Sequence, residues 1–532
     1  MLKIEPTKQT RFILGNQVYE KLVSEDDILY RINQHVKFSF VNDECRDLYC
    51  EDNGRPANEP EMMFRAEMVQ WLHVYSDREM QDAARYDVRV KWFLGIDICD
   101  LGFDFTLLSK FRSRLGVERH EMLFNKILEQ IADKGFIPKN DISFTDATHV
   151  IANIAIPNTM KLIRQTNAKL LKSIEKSNKE IYEKVIGNFE DIAELVDTSS
   201  KKNNDYNLST QQKKRNLEVL VRDTRRLIEV TEKLFGEKKE SSPDVKESLD
   251  LLKKILDENI EESNGTTSEK KKKPTDRTPS AVDPDARHGA KSKTKKFTGY
   301  KTHTIENSKE IITVVDVTAG NVPDEDATFD LLKKQKEGIG IMPGKLGGDK
   351  KYGDGKTRKG IREEYSVEII APTKNKSGNN GLFTNDRFTY DSEKDSVTCP
   401  EGKITYQHHI NKKNGDKIFR FCGLCKDCPM KDKCTTNKNG RTININAYHE
   451  EYKRANEFKQ TEEYKKVMSD RMKIERKQGE MKVHHGMDRA RYWGLAKMKI
   501  QALLTSTVVN IKRFVKLVEN DLKAKISVSS IS

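Results

Sequence analysis

Residues 142–157, ISFTDATHVIANIAIP, and residues 296–320, KFTGYKTHTIENSKEIITVVDVTAG, decide the fold. Both stretches are rich in β-branched residues and are bounded by polar residues, a pattern that predicts strands buried in a sheet. The second stretch divides near Asn307 into two strands joined by a turn. We therefore expect three strands of one sheet, the first of them far from the other two in the sequence.

The residues that follow alternate between helical and extended patterns. They comprise a helix in DEDATFDLLKKQKE, a strand that ends in a Gly-rich turn in IMPGKLGGDKKYG, a helix in GKTRKGIREE and a strand in SVEIIAPT. Three strands followed by helix, strand, helix and strand predict a mixed α/β sheet, in the order typical of a ribonuclease-H-like core. This core is expected to span residues 140–157 and 284–373.

Helices are predicted on both sides of this core. Residues 1–135 contain helical stretches such as FTLLSKFRSRL, which follows a possible N-cap at Asp104. This N-terminal domain is either a small helical bundle with solvated charges or a DNA-binding domain that uses Lys110, Arg112 and Arg114. Residues 446–520 are helical again and include an apolar stretch suited to packing on the sheet, so they are expected to complete the core.

Three further segments are predicted between these parts. Residues 158–257 carry two apolar stripes that predict a helical hairpin insertion. Residues 258–283 are polar and Lys-rich without apolar periodicity, so they predict a flexible linker. Residues 374–445 form a Cys-rich insertion that we expect to be a small zinc-ribbon-like unit.

Composition indicates the class of partner. The 532 residues suggest about three domains. Lys and Arg number 96 against 83 Asp and Glu, which gives a net charge of +13. This excess favours an anionic partner, with nucleic acid first and a membrane surface second, and it excludes an acidic solvating protein.

Several features are absent from the sequence. No signal-peptide core and no apolar run of about 18 residues occurs, so we expect a cytoplasmic protein without a membrane span. No phosphate-binding P-loop or dinucleotide fingerprint is present, so no nucleotide cofactor is expected.

Two aspartates at strand positions are candidates for metal binding. Asp146 lies inside the first strand, where a carboxylate is costly unless it is paired or binds a metal. Asp349 lies where a strand should end, the edge at which α/β sheets bind ligands. A solvent-facing Asp146 and a turn-forming Asp349 are the structural alternatives, and Asp316 and Asp354 are rival candidates.

Glu475 lies in the most basic part of the chain. From Arg471 to Arg513 there are eleven Lys or Arg residues and three Asp or Glu residues. The spacing of Arg471, Glu475 and Lys482 puts all three near one face of a helix. An exposed ion-pair stripe would explain this pattern, but so would a metal-dependent nuclease, whose acids hold metal while its bases hold phosphate. Three carboxylates with open coordination suit Mg²⁺ or Mn²⁺.

Five cysteines are clustered in the Cys-rich insertion, namely Cys399, Cys422, Cys425, Cys428 and Cys434. Their spacing is typical of a structural Zn²⁺ site with four thiolates, so one of the five is spare. We expect Cys399 to combine with three of the other four. His408 and His409 are further possible ligands, and an iron–sulfur cluster or unligated thiols remain alternatives.

Taken together, the motifs resemble those of bacterial insertion-sequence DDE transposases. Arg471, Glu475 and Lys482 match the Arg-Glu-Lys part of their Tyr-Arg-Glu-Lys signature, and GMDRARYWGLAKMKIQALLTSTVVNIKR is similar to their C-terminal region. TDATHVIAN and GDKKYGD resemble the segments of the first and second catalytic aspartates. The Cys-rich insertion resembles that of one subgroup.

This resemblance implies a function and its residues. Asp146, Asp349 and Glu475 would form the DDE triad that binds Mg²⁺ or Mn²⁺. The resemblance implies that Arg471 and Lys482 contact the phosphates at the ends of the element. Further candidates for DNA binding are Arg112, Arg114, Arg489 and Arg491. The implied reaction is cut-and-paste transposition: cleavage at the inverted repeats of the element, then strand transfer into target DNA by a homodimer, in the bacterial cytoplasm at the nucleoid.

One position departs from the family pattern. The signature tyrosine is replaced by Met468, which cannot donate a hydrogen bond to phosphate. Either the role is dispensable, or Tyr464 one turn earlier substitutes in it, or the copy is impaired. The alternatives to an active transposase are a catalytically inactive or domesticated DNA-binding protein of the same fold, and a nuclease without strand transfer.

Overall fold

The computed structural model describes residues 13–50, 57–196, 209–238, 242–263, 266–292, 294–373 and 381–529. Parts of the predicted segments therefore lie outside the described residues: 1–12 and 51–56 of the N-terminal domain, 197–208 and 239–241 of the helical insertion, 264–265 of the linker, 293 of the core, and 374–380 of the Cys-rich insertion. Within the described ranges, no helix has both the length and the apolar character needed to cross a membrane.

Helices occupy the N-terminal part of the chain. They are α1 (Ile13–Leu22), α2 (Ile28–His35), α3 (Phe40–Glu44), α4 (Pro60–His73), α5 (Asp77–Tyr86), α6 (Val88–Leu94) and α7 (Thr106–Asp133). Ser76 begins α5 with a capping box, in which its hydroxyl accepts from the Glu79 N–H and the Glu79 carboxylate accepts from the Ser76 N–H. The apolar faces of α2 to α7 meet in one core around the fully buried Phe64 and Trp71.

A helical insertion follows the first strand, β1 (Ile142–Ile151). Its described part contains α8 (Thr159–Ser177), α9 (Lys179–Ile186), α10 (Ile192–Val196), α11 (Thr210–Lys238) and α12 (Pro243–Asn259). These helices replace the predicted hairpin of two, although the two apolar stripes do share one core. Asn178 divides the first stripe, because it ends α8 and its side chain caps α9 by accepting from the Ile181 N–H.

The predicted flexible linker is more ordered than expected. An antiparallel hairpin, β2 (Ile260–Ser263) and β3 (Thr266–Glu269), follows α12 directly. Two hydrogen bonds hold the chain beyond this hairpin against the helical insertion. The carboxylate of the buried Glu258 accepts from the Thr278 N–H at 2.8 Å, and the Lys273 Nζ donates to the Thr159 hydroxyl at 2.9 Å. Hydrogen bonds hold this polar segment, and it contributes only isolated residues such as Ile260 and Ala281 to the apolar core of the insertion, so apolar periodicity could not reveal it.

The central sheet has six strands in the described part of the chain. Those after β1 are β4 (Arg287–Ala290), β5 (Lys296–Asn307), β6 (Ile312–Ala319), β7 (Lys345–Gly347) and β8 (Glu368–Ile370). β5 pairs antiparallel with β1 on one side and with β4 and β6 on the other, and β1, β7 and β8 run parallel in that order. This is the predicted mixed α/β sheet, to which β4 adds an edge strand that the sequence did not indicate.

Helices cover both faces of this sheet. On one face lie α13 (Ala327–Gly338) and α14 (Gly355–Tyr365), which pack on Ile305, Val314 and Leu346. Both helices were predicted from the sequence. The other face is covered by helices from the two ends of the chain, described below.

The Cys-rich insertion folds into short strands. They are β9 (Thr389–Asp391), β10 (Ser396–Thr398), β11 (Ile404–Thr405), β12 (His408–Ile410), β13 (Lys417–Arg420) and β14 (Thr442–Ile445), with α15 (Lys431–Cys434) before the last. They form two three-stranded antiparallel sheets that enclose a small core around Phe419, Phe421 and Ile443.

The last helices of the chain are α16 (His449–Phe458), α17 (Glu462–Asp470), α18 (Met472–His485) and α19 (Leu495–Ser529). The predicted packing of the apolar stretch in α19 on the sheet is confirmed, because α19 lies between β6 and helices α4 and α7. The buried Asn510 side chain fixes this contact by accepting from the Ile312 N–H and donating to the Ile312 carbonyl, both at 2.8 Å.

Candidate active site

Asp146 and Asp349 lie at matching positions on two neighbouring parallel strands. The last residues paired between β1 and β7 are Phe144 and Gly347, and each aspartate comes two residues after its strand's member of that pair. Adjacent strands are about 4.8 Å apart, so the two aspartates lie side by side. Gly347 permits this approach, because a Cβ there would lie 2.7 Å from the Phe144 ring.

The surroundings of Asp146 disfavour an isolated charge. Burial, reinforced by the nearby carboxylate of Asp349, raises the pKa of Asp146 to about 6. The Ala147 N–H, which donates to Asp146 at 2.8 Å, and the Arg471 guanidinium act in the opposite direction. Two like charges thus meet where the parallel pairing ends, an arrangement that a cation would stabilise.

Local backbone structure holds Asp349. Its carboxylate accepts from the Lys351 N–H at 2.8 Å and so caps the short 3₁₀-helix Lys350–Gly353. The predicted turn-forming role is therefore real, and it coexists with the position beside Asp146. One carboxylate oxygen can cap the turn while the other remains available.

Glu475 lies on α18, which packs on β1. Ile474 shares a small buried cluster with Phe144 and so docks the helix on the strand that carries Asp146. Arg471, at the start of α18, donates to Glu475 at 2.8 Å, and the Glu475 side chain is 52% exposed. Among the described residues, no group of three or more His, Cys, Asp or Glu side chains is arranged to hold a metal ion. The structure thus pairs the two aspartates and leaves Glu475 bound to Arg471.

The rival aspartates have other partners. Asp316 pairs with Lys334 at 3.3 Å and Lys499 at 2.9 Å, and Asp354 caps α14. Each of these carboxylates therefore has a local structural role.

Asp324 is a carboxylate of this region that sequence reasoning missed. It is buried between Lys301 and Lys351, and it is close enough to Asp146 to contribute to the raised pKa of that residue. In the sequence it stands out only as a residue near a helix start, and no signal distinguishes it from its neighbour Asp326.

Two of the arginines expected to contact DNA are used inside the protein. Arg112 is buried and pairs with Asp77 at 2.6 Å, and Arg491 stacks on Trp71 and donates to the Tyr75 carbonyl at 3.0 Å. Both expectations are corrected, because these guanidinium groups are turned into the core of the N-terminal helices.

The other expected DNA contacts remain accessible. Arg114 is exposed and lies over the Tyr49 ring, and Arg489 is exposed beside the end of β1, where its backbone pairs with Ile151. Lys110 is exposed on α7. Lys482 is half-buried on α18, two helical turns beyond Glu475.

Met468 and Tyr464 both lie in the apolar cluster around Phe144. Met468 is partly buried there, and Tyr464 packs edge-on against Phe458 at 6.2 Å between ring centroids. Tyr464 thus serves as a packing residue in this conformation.

Four of the five clustered cysteines lie together. Cys399, Cys425, Cys428 and Cys434 line one cavity, whereas Cys422 is exposed and lies outside that lining. Burial raises the pKa of the Cys434 thiol, and the other three cysteines of the cavity raise it further. Like the acids, these described thiols do not adopt the arrangement of metal ligands in this conformation.

Neither of the two histidines considered as further metal ligands lines the cavity of the cysteines. The His408 ring packs at a tilt against Phe419, with 4.7 Å between ring centroids, and its Nε2 lies 3.4 Å from the Asp395 carboxylate. His409 is exposed on β12 and does not line the cavity of the cysteines.

Comparisons with known proteins cover the two ends of the chain. A family model described as a transposase DDE domain matches residues 398–515, and one described as a transposase domain (DUF772) matches residues 17–114. The first match contains Glu475 and the five clustered cysteines, whereas Asp146 and Asp349 lie outside both matches. No curated protein and no solved structure gives a significant match. The two matches, at residues 17–114 and 398–515, indicate an insertion-sequence DDE transposase.

Proposed function

We propose that this transposase binds the inverted repeats at the ends of its element and catalyses metal-dependent DNA cleavage and strand transfer. The observation that carries the proposal is the side-by-side position of Asp146 and Asp349, with Glu475 on a helix docked against the same strand. Two copies of the chain would hold the two ends, as the resemblance implies.

The donor set fits Mg²⁺ or Mn²⁺. Asp146 and Asp349 offer carboxylate oxygens where their charges repel, and these are the ligands that hard divalent cations prefer. Such ions, when bound, supply activation of water or of a 3′-hydroxyl and stabilisation of the leaving oxygen. The residues of the chain would position the scissile phosphate and keep its charge balanced.

Arg471 links substrate binding to the third acid in this proposal. It neutralises Glu475 in the free protein, and its guanidinium also acts on Asp146. A DNA phosphate can accept two hydrogen bonds from one guanidinium group, whereas Glu475 accepts one from Arg471. We therefore infer that the phosphate of the DNA end draws Arg471 away and frees Glu475 to join the two aspartates.

We also propose a structural Zn²⁺ held by Cys399, Cys425, Cys428 and Cys434. The support is their common cavity and the mutual effect on the Cys434 thiol. Binding would draw the four thiolates together, and since they leave no open position, the role would be to hold the two small sheets together. Cys422 is the spare thiol in this assignment.

The test of the proposed function is cleavage of a labelled duplex that carries the DNA flanking the gene. Wild type is compared with Glu475→Gln and with Glu457→Gln, an exposed glutamate on α16 that serves as the matched control. We expect Mg²⁺-dependent cleavage by wild type and the control, and none by Glu475→Gln. Sequence-specific binding without cleavage by wild type would instead support the inactive DNA-binding protein, the second candidate that Met468 favours.

A further inference from the structure

The turn between β4 and β5 carries a lysine that the proposed function does not use. We propose that Lys291 on this turn joins Lys482 to form a binding site for the phosphate backbone of duplex DNA beside the active site. This inference rests on the proposed function and extends it, because it adds an element outside the acid triad and the signature helix.

The turn lies past the end of the strand that carries Asp146. Ile151, the last residue of β1, pairs with Gly299, while β4 and the first residues of β5 continue beyond that point. The turn is closed by the Lys291 N–H, which donates to the Lys295 carbonyl at 2.8 Å. Phe297 packs on His149 of β1 at 5.2 Å between ring centroids and so fixes the hairpin against the sheet.

Two cations meet there without a matching acid. Lys482 is half-buried, and burial and the charge of Lys291 both lower its pKa. Burial also lowers the pKa of His149, and both lysines lower it further. The segment just after α18 lies at the same end of β1, because the Ile151 N–H donates to the Asp488 carbonyl at 3.0 Å. Asp488 acts on Lys482 from a distance, but in the described part of the chain no carboxylate forms an ion pair with Lys482 or Lys291.

An anion between the lysines would relieve this repulsion. A folded protein that holds two ammonium groups together, one of them partly desolvated, gains stability when a phosphate enters. The same two groups therefore form a better site for an anion than two isolated surface lysines would.

The spacing along α18 fits a DNA strand. Lys482 follows Glu475 by seven residues, which corresponds to about 10.5 Å along the helix axis. Phosphates of one strand advance by about 3.4 Å per base pair along the duplex axis, so a duplex aligned with α18 would bring Lys482 to a phosphate about three nucleotides from the one being cut. Lys291 would extend this contact along the backbone.

The first test is lysine footprinting of the full chain. The protein is acetylated with an amine reagent in EDTA, with and without a duplex carrying the DNA that flanks the gene, and labelling is read by mass spectrometry. We expect DNA to suppress labelling of Lys291 and Lys482 together and to leave Lys333, exposed on α13, unchanged. Protection of either lysine without the other overturns the inference.

The second test is the salt dependence of DNA affinity for Lys291→Ala, with Lys333→Ala as the matched control. Loss of one phosphate contact should lower the slope of log affinity against log salt by about 0.9, whereas the control should keep the wild-type slope. An unchanged slope in Lys291→Ala, with wild type still cutting the duplex, refutes this inference alone. A wild type that neither binds nor cuts the duplex refutes the proposed function and this inference together.

Discussion

Arg471 and Glu475 form an ion pair at 2.8 Å on the first turn of α18, and the same arginine acts electrostatically on Asp146. One guanidinium thus acts on both the third acid and an aspartate of the sheet. In the proposed mechanism Arg471 can bind a phosphate before Glu475 is free to bind a metal. DNA binding is therefore required before the three acids can come together.

Removal of Arg471 should show that this arginine controls whether Glu475 can bind a metal. Arg471→Ala frees Glu475 in the absence of DNA, so the free protein should bind Mn²⁺ about two- to fivefold more tightly, the value of an exposed ion pair. Cleavage of the DNA end should fall, because the phosphate contact is lost. Titration of Mn²⁺ into the free protein measures the first effect, with Arg476→Ala on the same helix as control. Unchanged or weaker Mn²⁺ binding in Arg471→Ala would contradict the proposed exchange of partners.

The assignment of the cysteines predicts different outcomes for neighbouring substitutions. Cys425→Ser removes a proposed ligand and should lose the zinc and lower the melting temperature, whereas Cys422→Ser should keep both. Elemental analysis and thermal unfolding of the purified full chain check this. Absence of zinc from wild type, or equal losses in the two variants, would rule out the ligand set.

Glu306 on β5 predicts a pH dependence of stability. Burial raises the pKa of this carboxyl from 4.5 to about 7, against the opposing charge of Lys477, and among the described residues neither carboxylate oxygen has a hydrogen-bond partner. The folded state keeps its proton to higher pH than the unfolded chain, so stability present below pH 4.5 is lost as pH rises to about 7, by on the order of 3 kcal/mol.

Glu306→Gln should remove this dependence, because an amide stays neutral. In urea unfolding we expect the variant to exceed wild type in stability by much more at pH 8 than at pH 5. Glu457→Gln, which is exposed, should show no such difference. Equal effects of Glu306→Gln at both pH values would mean that Glu306 is already ionised in the folded protein.

The buried Arg112 predicts a stability effect in place of a DNA effect. Its removal leaves Asp77 and the fully buried Glu67 without this cation, a loss of about 3–5 kcal/mol for a buried pair. Arg112→Ala should therefore lower the denaturant midpoint strongly, whereas Arg114→Ala on the exposed face should not. A folded Arg112→Ala protein with normal stability and weakened DNA binding would restore the original prediction.

The sequence predicted the sheet well because its strands have strong local patterns. The β5–β6 pair, the turn near Asn307 and the helix–strand–helix–strand series all appear where expected. Prediction failed at residues 260–263 and 266–269, where backbone hydrogen bonds pair two polar strands. On the N-terminal helices the sequence could not distinguish Arg112, which is buried, from Arg114, which is exposed. The two residues lie two positions apart on one helix, and the packing of that helix decides which of them is buried.

Only part of the candidate site could be predicted from the sequence. The positions of Asp146 inside a strand and Asp349 after one followed from local patterns, and the parallel register of β1 and β7 brings them together. The ion pair of Glu475 was foreseeable from its spacing to Arg471, whereas the turn at Lys291 was not, because β4 has no apolar alternation. The parallel pairing of β1 with β7, which are far apart in the sequence, determines that the two aspartates meet, and local patterns do not reveal such pairing.

Asp349→Asn tests whether Asp146 and Asp349 hold the metal for DNA cleavage. Wild type, Asp349→Asn and the exposed control Asp326→Asn are compared for Mg²⁺-dependent cleavage and for binding of the same flanking duplex. We expect Asp349→Asn to bind the duplex as wild type does but not to cut it, and Asp326→Asn to do both. Cleavage by Asp349→Asn at the wild-type rate would show that Asp349 does not hold the metal for this reaction.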